Sequence, residues 1–451
     1  MPGIDWSCAV SRRLILVLLV GVNSIMYCVS LAWLAPYDEF HIFYHSAQLP
    51  SALLLIAAFS LVSLLFVLAD FSFGYFVGYH LHLVILGYLW LSAFSDLPYD
   101  HRGAEISAAI SGVAFLLPAV LIRSPIPQIF VLSEAAFERL LTAILVGGAA
   151  VIATSAIYNF RIVSLHDIYD FRDEIRLPMP LGYLIGMTSS ALLPFAFGCF
   201  VMRRAFVRAA ATLLIMLLFY PIMLSKLTFF APLWLIFVAI LSGALGSRIT
   251  VLLSLALPLL SGIVLMIFFP QHAYPFSHIV NLRMFAIPSN AMDFYNHFFA
   301  LHDHTYFCQI SFLKKMVPCP YDEPLSVVMQ QSYGVGYVNA SLFATEGIAS
   351  VGVLLAPLSA LGCGLVVAFA NRLSTGLPPR FVLISSALFP IILSNVPLTT
   401  VLLTHGAAAM FGLWYVMPRT FLAPALPRDT SGSIPGAAAS RPSPHKTPSI
   451  H

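Results

Sequence analysis

Apolar residues dominate this chain in runs of about twenty, and the runs do not alternate between apolar and polar positions. A helix of that length matches a bilayer core, whereas a spanning strand would alternate lipid-facing and lumen-facing residues. Reading the runs in order predicts membrane helices at 14–34, 49–69, 71–95, 104–122, 139–160, 181–202, 206–225, 228–247, 249–269, 343–370, 381–396 and 399–417. Backbone groups in hydrocarbon must find partners within their own segment, so the expected fold is an all-α integral membrane protein of about twelve transmembrane helices. The first run follows Arg12 and Arg13, as a signal peptide would. It is long for one and lacks a clean cleavage site, so it predicts an anchor. The pattern stops near residue 423. Residues 1–423 are expected to form the membrane domain, and the Pro-, Ser- and Ala-rich stretch 424–451 a disordered cytoplasmic tail.

Composition sharpens this. The chain is 60% hydrophobic and 9% charged, with mean hydropathy +0.91. A soluble domain carries about 25% charged residues, so too little polar surface is left to cover a water-borne globule.

Charge supplies a direction. With the N-terminus in the cytosol and the helices alternating, the inside segments hold 14 of 22 basic and 5 of 19 acidic residues. Basic residues prefer the cytosolic side of short loops, so both termini are expected there. Two longer polar stretches then fall outside, 161–180 and 270–333, the larger one between the ninth and tenth helices. The larger is rich in aromatics, among them Phe285, Phe294, Tyr295, Phe298 and Phe299, which predicts packing rather than disorder. Most of these rings are read as packing the segment onto the bilayer interface, although a ring with a polar edge also suits a sugar. Cys308 and Cys319 share this stretch, and a disulfide between them is open to an oxidising compartment.

Basic residues outside run against the bias and ask for a reason. Lys226 sits in a turn of a few residues between two long apolar runs. Arg172 and Arg176 would share one face of a helix, and Arg283 has apolar neighbours. Together they predict a cationic cup for a lipid-linked diphosphate, since a guanidinium binds phosphate oxygens in pairs and lysine adds a point charge. Local pairing with Asp170, Asp173 and Glu174 is the competing reading for Arg172. Candidate acids and bases are Asp293, His297, His302, Asp303, His304 and Glu346, with His302, His304, Glu346 and Asp293 carried forward as catalytic candidates. Glu346 enters an apolar run, where an acidic side chain is a functional candidate by default. Asn339 stands seven residues before it, on the same helical face, and joins Arg172, Arg176, Lys226 and Arg283 as a substrate-binding candidate. His80, His82 and His405 are read as packed rather than as proton relays. The sequence carries no glycine-rich phosphate loop and no diagnostic metal-ligand spacing, so no cofactor, metal or nucleic-acid partner is expected.

Four segments carry a family likeness: FRDEIRLPMPLGYLIG, SKLTFFAPL, LRMFAIPSNAMDFYNHFF and GVGYVNASLFATEGIASVGV. Across residues 160–370 the chain resembles the bacterial O-antigen and oligosaccharide repeat-unit polymerases. The resemblance implies a metal-independent inner-membrane glycosyltransferase with a periplasmic active site. It would pass a growing glycan from its polyprenyl diphosphate carrier to a sugar hydroxyl on a fresh carrier-linked repeat unit, with inversion. Arg172, Arg176 and Arg283 would hold the carrier diphosphate with Lys226 nearby, and the His302–His304 segment stands where a loop histidine is expected. A chain-length regulator protein would be a partner alongside membrane lipid. Some members carry an arginine followed by a glycine eleven residues later, and Arg172, Arg176 and Arg283 all lack it, which leaves the sugar and linkage open. Two other readings remain at this point: an O-antigen ligase-like transferase with the same donor, and a flippase or transporter of lipid-linked oligosaccharide. The absence of an internal repeat weighs against duplicated transporter folds.

Overall fold

The computed structural model of the protein describes residues 6–422, except 165, 166, 169, 170, 172, 173, 311, 312 and 339. Among the described residues, ten helices are long and apolar enough to cross a membrane. The first nine are α1 (Arg13–Leu34), α2 (Leu49–Leu68), α3 (Phe73–Ser92), α4 (His101–Leu121), α5 (Glu134–Ala156), α6 (Met179–Met202), α7 (Phe206–Met223), α8 (Lys226–Ala244) and α9 (Ser247–Phe268). The chain is therefore an all-α polytopic membrane protein, as its apolar runs predict. Local signals set several starts: the side chains of Ser72, Asp100 and Ser133 accept from the Tyr75, Gly103 and Ala136 amides and cap α3, α4 and α5.

Connections alternate between two faces. On one, Phe43 N–H bonds the Phe94 carbonyl at 2.8 Å and Arg161 N–H the Pro221 carbonyl at 2.9 Å, tying neighbouring connections together. On the other, Arg248 bonds the Ala69 carbonyl at 3.0 Å, Arg123 pairs with Asp70 at 3.2 Å, Arg372 reaches the Ser124 carbonyl at 3.0 Å, and Arg203 and Arg208 both grip Glu138. We call these the loop face and the basic face. Helix α3 is the axis of the bundle and is almost wholly buried. Small residues let neighbours close on it. At Gly87 an added Cβ would lie 2.4 Å from Ser289 Oγ and 2.5 Å from the Tyr27 ring.

Residues 270–301, expected as an extramembrane loop, form a continuous helix, α10. It does not leave the bundle but crosses it. Asn281 donates to Ser30 Oγ on α1 at 2.9 Å, Tyr27 donates to the Phe285 carbonyl at 2.8 Å, Ser289 reaches the Val84 carbonyl on α3 at 3.0 Å, and Asn296 reaches Tyr88 Oη at 3.1 Å. The polar residues that made the segment look like a loop are the ones that bond it to its neighbours. Its aromatics pack inward, with Phe294, Tyr295, Phe298 and Phe299 all buried. A short helix, α11 (Leu325–Tyr333), follows.

The tenth apolar run, Phe343–Ser374, is not one rod. A π-helical leg, α12 (Phe343–Ala349), leads into α13 (Ser350–Ser374), which breaks at Gly352 with φ 76° and ψ 169°. Ser359 Oγ bonds the Glu346 carbonyl at 2.6 Å, so the leg before Gly352 folds back along the helix after it. The two runs expected at 381–396 and 399–417 are interrupted as well, into α14 (Pro379–Ser385), α15 (Phe389–Asn395), α16 (Leu398–Leu403) and α17 (Ala407–Val416). Pro390, Pro397 and Gly406 (φ 74°) stand at or beside these breaks. Non-helical backbone is tolerated at membrane depth where protein buries it, and residues 385–389 are buried.

Candidate functional site

Two features lie on the loop face. The first is a cluster of positive charge. Helices α7 and α8 are linked by Leu224, in the left-handed conformation, and Ser225, so Lys226 opens α8 at the lip of the bundle. Ser225 does not cap this helix with its side chain. The positive end of the helix dipole lies beside the half-buried Lys226, an arrangement that favours anions. His278 and Arg283 of α10 complete the cluster. The His278 pKa is held below its usual value by burial first, then by the positive charges of Lys226 and Arg283. Arg176 is exposed and follows Ile175, whose side chain packs against the cluster of Ile168, Tyr220 and Leu224 beside the same turn. Arg172 and Asn339, both expected substrate-binding residues, lie outside the described residues, as does the stretch 424–451.

Arg283 donates to the Tyr337 carbonyl at 3.0 Å. Three residues on, Ala340 lines the second feature, a cavity of about 410 Å³. Its walls come from α10 (Tyr295), the 305–310 segment, the start of α11, the α12–α13 turn and residues 396–405. Cys308 and Cys319 are disulfide-bonded, with Cα atoms 5.3 Å apart, and this bridge ties down the 305–310 wall. Thr305 N–H and Tyr306 N–H bond the carbonyls of Ala349 and Ser350 at 2.8 and 3.1 Å, fastening that wall to the re-entrant turn.

Glu346 is the carboxylate of the cavity. Its Oε1 accepts from the Thr399 amide and hydroxyl, each at 2.9 Å, and its Oε2 from the Thr345 hydroxyl at 2.7 Å. Around it stand Thr305, Ser350, Thr400, Gln309 and His405, and neither lysine nor arginine is among the lining residues. A neutral pocket rich in hydroxyls, with one fixed carboxylate and aromatic edges from Tyr295 and Phe307, suits a hydroxyl-bearing ligand with apolar faces.

The other acid–base candidates do not line this cavity. Asp293 is fully buried, and both oxygens are taken by Ser95 Oγ, at 2.7 Å, and Tyr99 Oη. Burial pushes its carboxyl up, and the two hydroxyls, with His101 and His41 farther off, pull it back. It pins the 93–100 connection to α10. His302 bonds the Phe298 carbonyl through Nδ1 at 2.8 Å and stacks on the Phe298 ring at 4.0 Å. His304 sits over Gly352, where an added Cβ would lie 2.5 Å from its Nε2.

The sequence reading missed His278 as a cluster member and His405, Ser350 and Thr399 as cavity residues. His278 lies five residues before Arg283, a spacing that could have flagged it. Hydroxyls in apolar helices carry no such mark. Among the described residues, no three His, Cys, Asp or Glu side chains gather as a metal site would require. No family model, curated protein or solved structure matches the chain.

Proposed function

We propose that the protein is a membrane glycosyltransferase that lengthens a glycan carried on polyprenyl diphosphate, joining oligosaccharide repeat units into a surface polysaccharide. The observation that carries this reading is the pairing of an anion-favouring lip (Lys226, His278, Arg283) with a neutral, hydroxyl-lined cavity holding one carboxylate: Arg283 bonds the Tyr337 carbonyl, and Ala340 lines the cavity. The lip would grip the diphosphate of the donor at the level of the headgroups. The cavity would hold the acceptor sugar, oriented by Glu346 and its surrounding hydroxyls. The bond from the anomeric carbon to the diphosphate oxygen breaks, and the diphosphate leaves with the electron pair. The acceptor oxygen attacks from the opposite side and loses its proton. Fixed cations that meet the charge growing on the leaving group in a water-poor site are worth several kcal/mol. The excess of arginine on the basic face supports placing that face in the cytosol of a bacterial inner membrane and the lip and cavity on the periplasmic side.

The test uses purified protein in nanodiscs with a labelled polyprenyl diphosphate, together with surface-glycan length in the source cells. Lys226→Ala and Arg283→Ala are each expected to weaken binding roughly tenfold or more, the scale of one charge-assisted hydrogen bond, and to shorten the glycan. Unchanged binding and unchanged chain length in the double variant would remove the reading.

One observation favours a second reading. Breaks at Gly352, at Val396–Pro397 and at Thr404–Gly406 surround the cavity, and discontinuous helices around a central site are a feature of transporters. A transporter of lipid-linked glycan would bind the same diphosphate but leave its cargo no longer than before, so chain length separates the two.

A further inference from the structure

The cavity is lined by a histidine for which the reaction above has no role. His405 joins α16 to α17 and lines the same cavity as Thr399, Thr400 and Glu346. Three local features build its position. Gly406, at φ 74°, turns the chain directly after it, where an added Cβ would fall 2.5 Å from Met187. The His405 amide reaches back to the Thr400 carbonyl at 3.3 Å. Its Nδ1 stands 3.2 Å from Ser190 Oγ, which belongs to Thr188–Leu192, a π-helical turn inside α6. Such turns are rare and concentrate at functional sites. With Nδ1 engaged, Nε2 is the nitrogen left for the cavity. His405 lines the cavity, whereas His80 Nε2 and both His82 nitrogens are sealed away without a partner. The ionisable side chains lining the cavity are Glu346 from α12, Tyr295 from α10 and His405 itself.

Glu346 is the less suitable acceptor of a proton, because both of its oxygens already receive hydrogen bonds. These bonds hold its oxygens in place, which suits it to orient a hydroxyl. We propose that His405 Nε2, rather than Glu346, takes the proton of the acceptor hydroxyl. The inference rests on the glycosyl-transfer reading. In the step, the acceptor O–H bond breaks as its oxygen bonds the anomeric carbon, the proton passes to neutral His405, and the donor diphosphate departs with the bonding pair. The imidazolium so formed lies in the same cavity as Glu346 and returns its proton to water. Imidazole is the side chain that most often serves as a general base.

The experiment follows glycan elongation against pH in membranes of the source cells, which carry their own lipid-linked repeat units. It compares wild type with His405→Gln and Ser190→Ala. Wild-type elongation is expected to fall on the acid side, as the imidazole becomes protonated before the reaction. His405→Gln is expected to lower the rate roughly 10²–10⁴-fold, abolish that acid limb and leave binding of labelled polyprenyl diphosphate intact. Ser190→Ala is expected to shift the limb with a smaller loss. Intact donor binding with unchanged rate and pH profile in His405→Gln would overturn the assignment to His405 while leaving the glycosyl-transfer reading in place. That reading fails separately if the Lys226→Ala, Arg283→Ala double variant still binds the diphosphate and elongates. Should His405→Gln not fold, diethyl pyrocarbonate labelling of the wild type decides: modification at His405 but not His82 supports the inference, and an unreactive His405 beside a reactive His278 overturns it.

Discussion

The cation lip and the cavity are neighbours built by opposite means. The lip is made of long side chains placed one at a time at helix ends and on one face of a crossing helix, and its chemistry is charge. The cavity is made by backbone that stops being regular: a π-helical leg, a hairpin at Gly352 and the interrupted segments between α15 and α17. Its chemistry is neutral hydroxyls around one carboxylate. Charge can be added to or removed from the lip without moving a helix. The cavity exists only while the irregular backbone holds, so the two should respond to different perturbations.

The largest expected effect is at Gly352. Its φ and ψ fall in a region essentially reserved for glycine, and an added Cβ would meet His304 Nε2 at 2.5 Å. Gly352→Val should cost about 3 kcal/mol or more from backbone strain and overpacking together. Thermal inactivation in nanodiscs would show it as a shortened half-life, and elongation should be lost. Diphosphate binding at the lip should survive at temperatures where the variant remains folded. A variant as stable and active as wild type would show that the hairpin does not define the cavity.

A smaller effect separates the lip from the cavity by pH. The His278 pKa is depressed by burial and by two adjacent cations, so in the empty protein the imidazole is mostly neutral at pH 7. A bound diphosphate reverses the local field and favours the protonated ring. Binding should therefore take up protons and tighten as pH falls toward and below 6.5, the ordinary histidine value. Calorimetry of the prenyl diphosphate in buffers of different ionisation enthalpy measures that uptake. His278→Gln should abolish it with only a several-fold loss of affinity. The affinity of both proteins should weaken with salt, because the lip is partly exposed. Elongation governed by His405 runs the other way, falling as pH drops.

The same contrast explains what could be read without coordinates. Charge is scarce in this chain, so Lys226 and Arg283 stood out, and nine spans followed from run length alone. Residues 270–301 read as a loop because Asn281, Ser289, Asn290, Asp293 and Asn296 interrupt the apolar pattern, although each has a partner within the bundle. Hydropathy averages over a window and does not distinguish a polar residue facing water from one facing a carbonyl. The hairpin at Gly352 was invisible for a related reason. A re-entrant leg and a span have the same composition, and the turn between them is marked only by a glycine among others. Glu346 was found because it is charged. Its neighbours Thr399 and Ser350 carry no such mark, since hydroxyls are ordinary in apolar segments, and His405 reads as a packed histidine.

The smallest expected effect tests whether the two buried carboxyls differ in kind. Glu346 faces a cavity, whereas Asp293 faces only the residues it fastens. In Asp293→Asn the amide oxygen still accepts a hydrogen bond, and the Ser95 or Tyr99 hydroxyl can turn to accept from the new NH₂. The loss near neutral pH should be about 1 kcal/mol, with elongation unchanged. Burial raises the Asp293 pKa in the folded protein. The stability contributed by its protonated form is therefore fully present below the unfolded value near 3.9 and is lost as pH rises through the folded value. Wild type should exceed the variant most in acid, and the gap should narrow toward neutrality. Chemical-denaturation midpoints of the two proteins across pH 4–8 measure that gap. A gap that instead widens with pH, or an elongation defect in Asp293→Asn, would place Asp293 with Glu346 as a working acid and leave the division between pin and site without support.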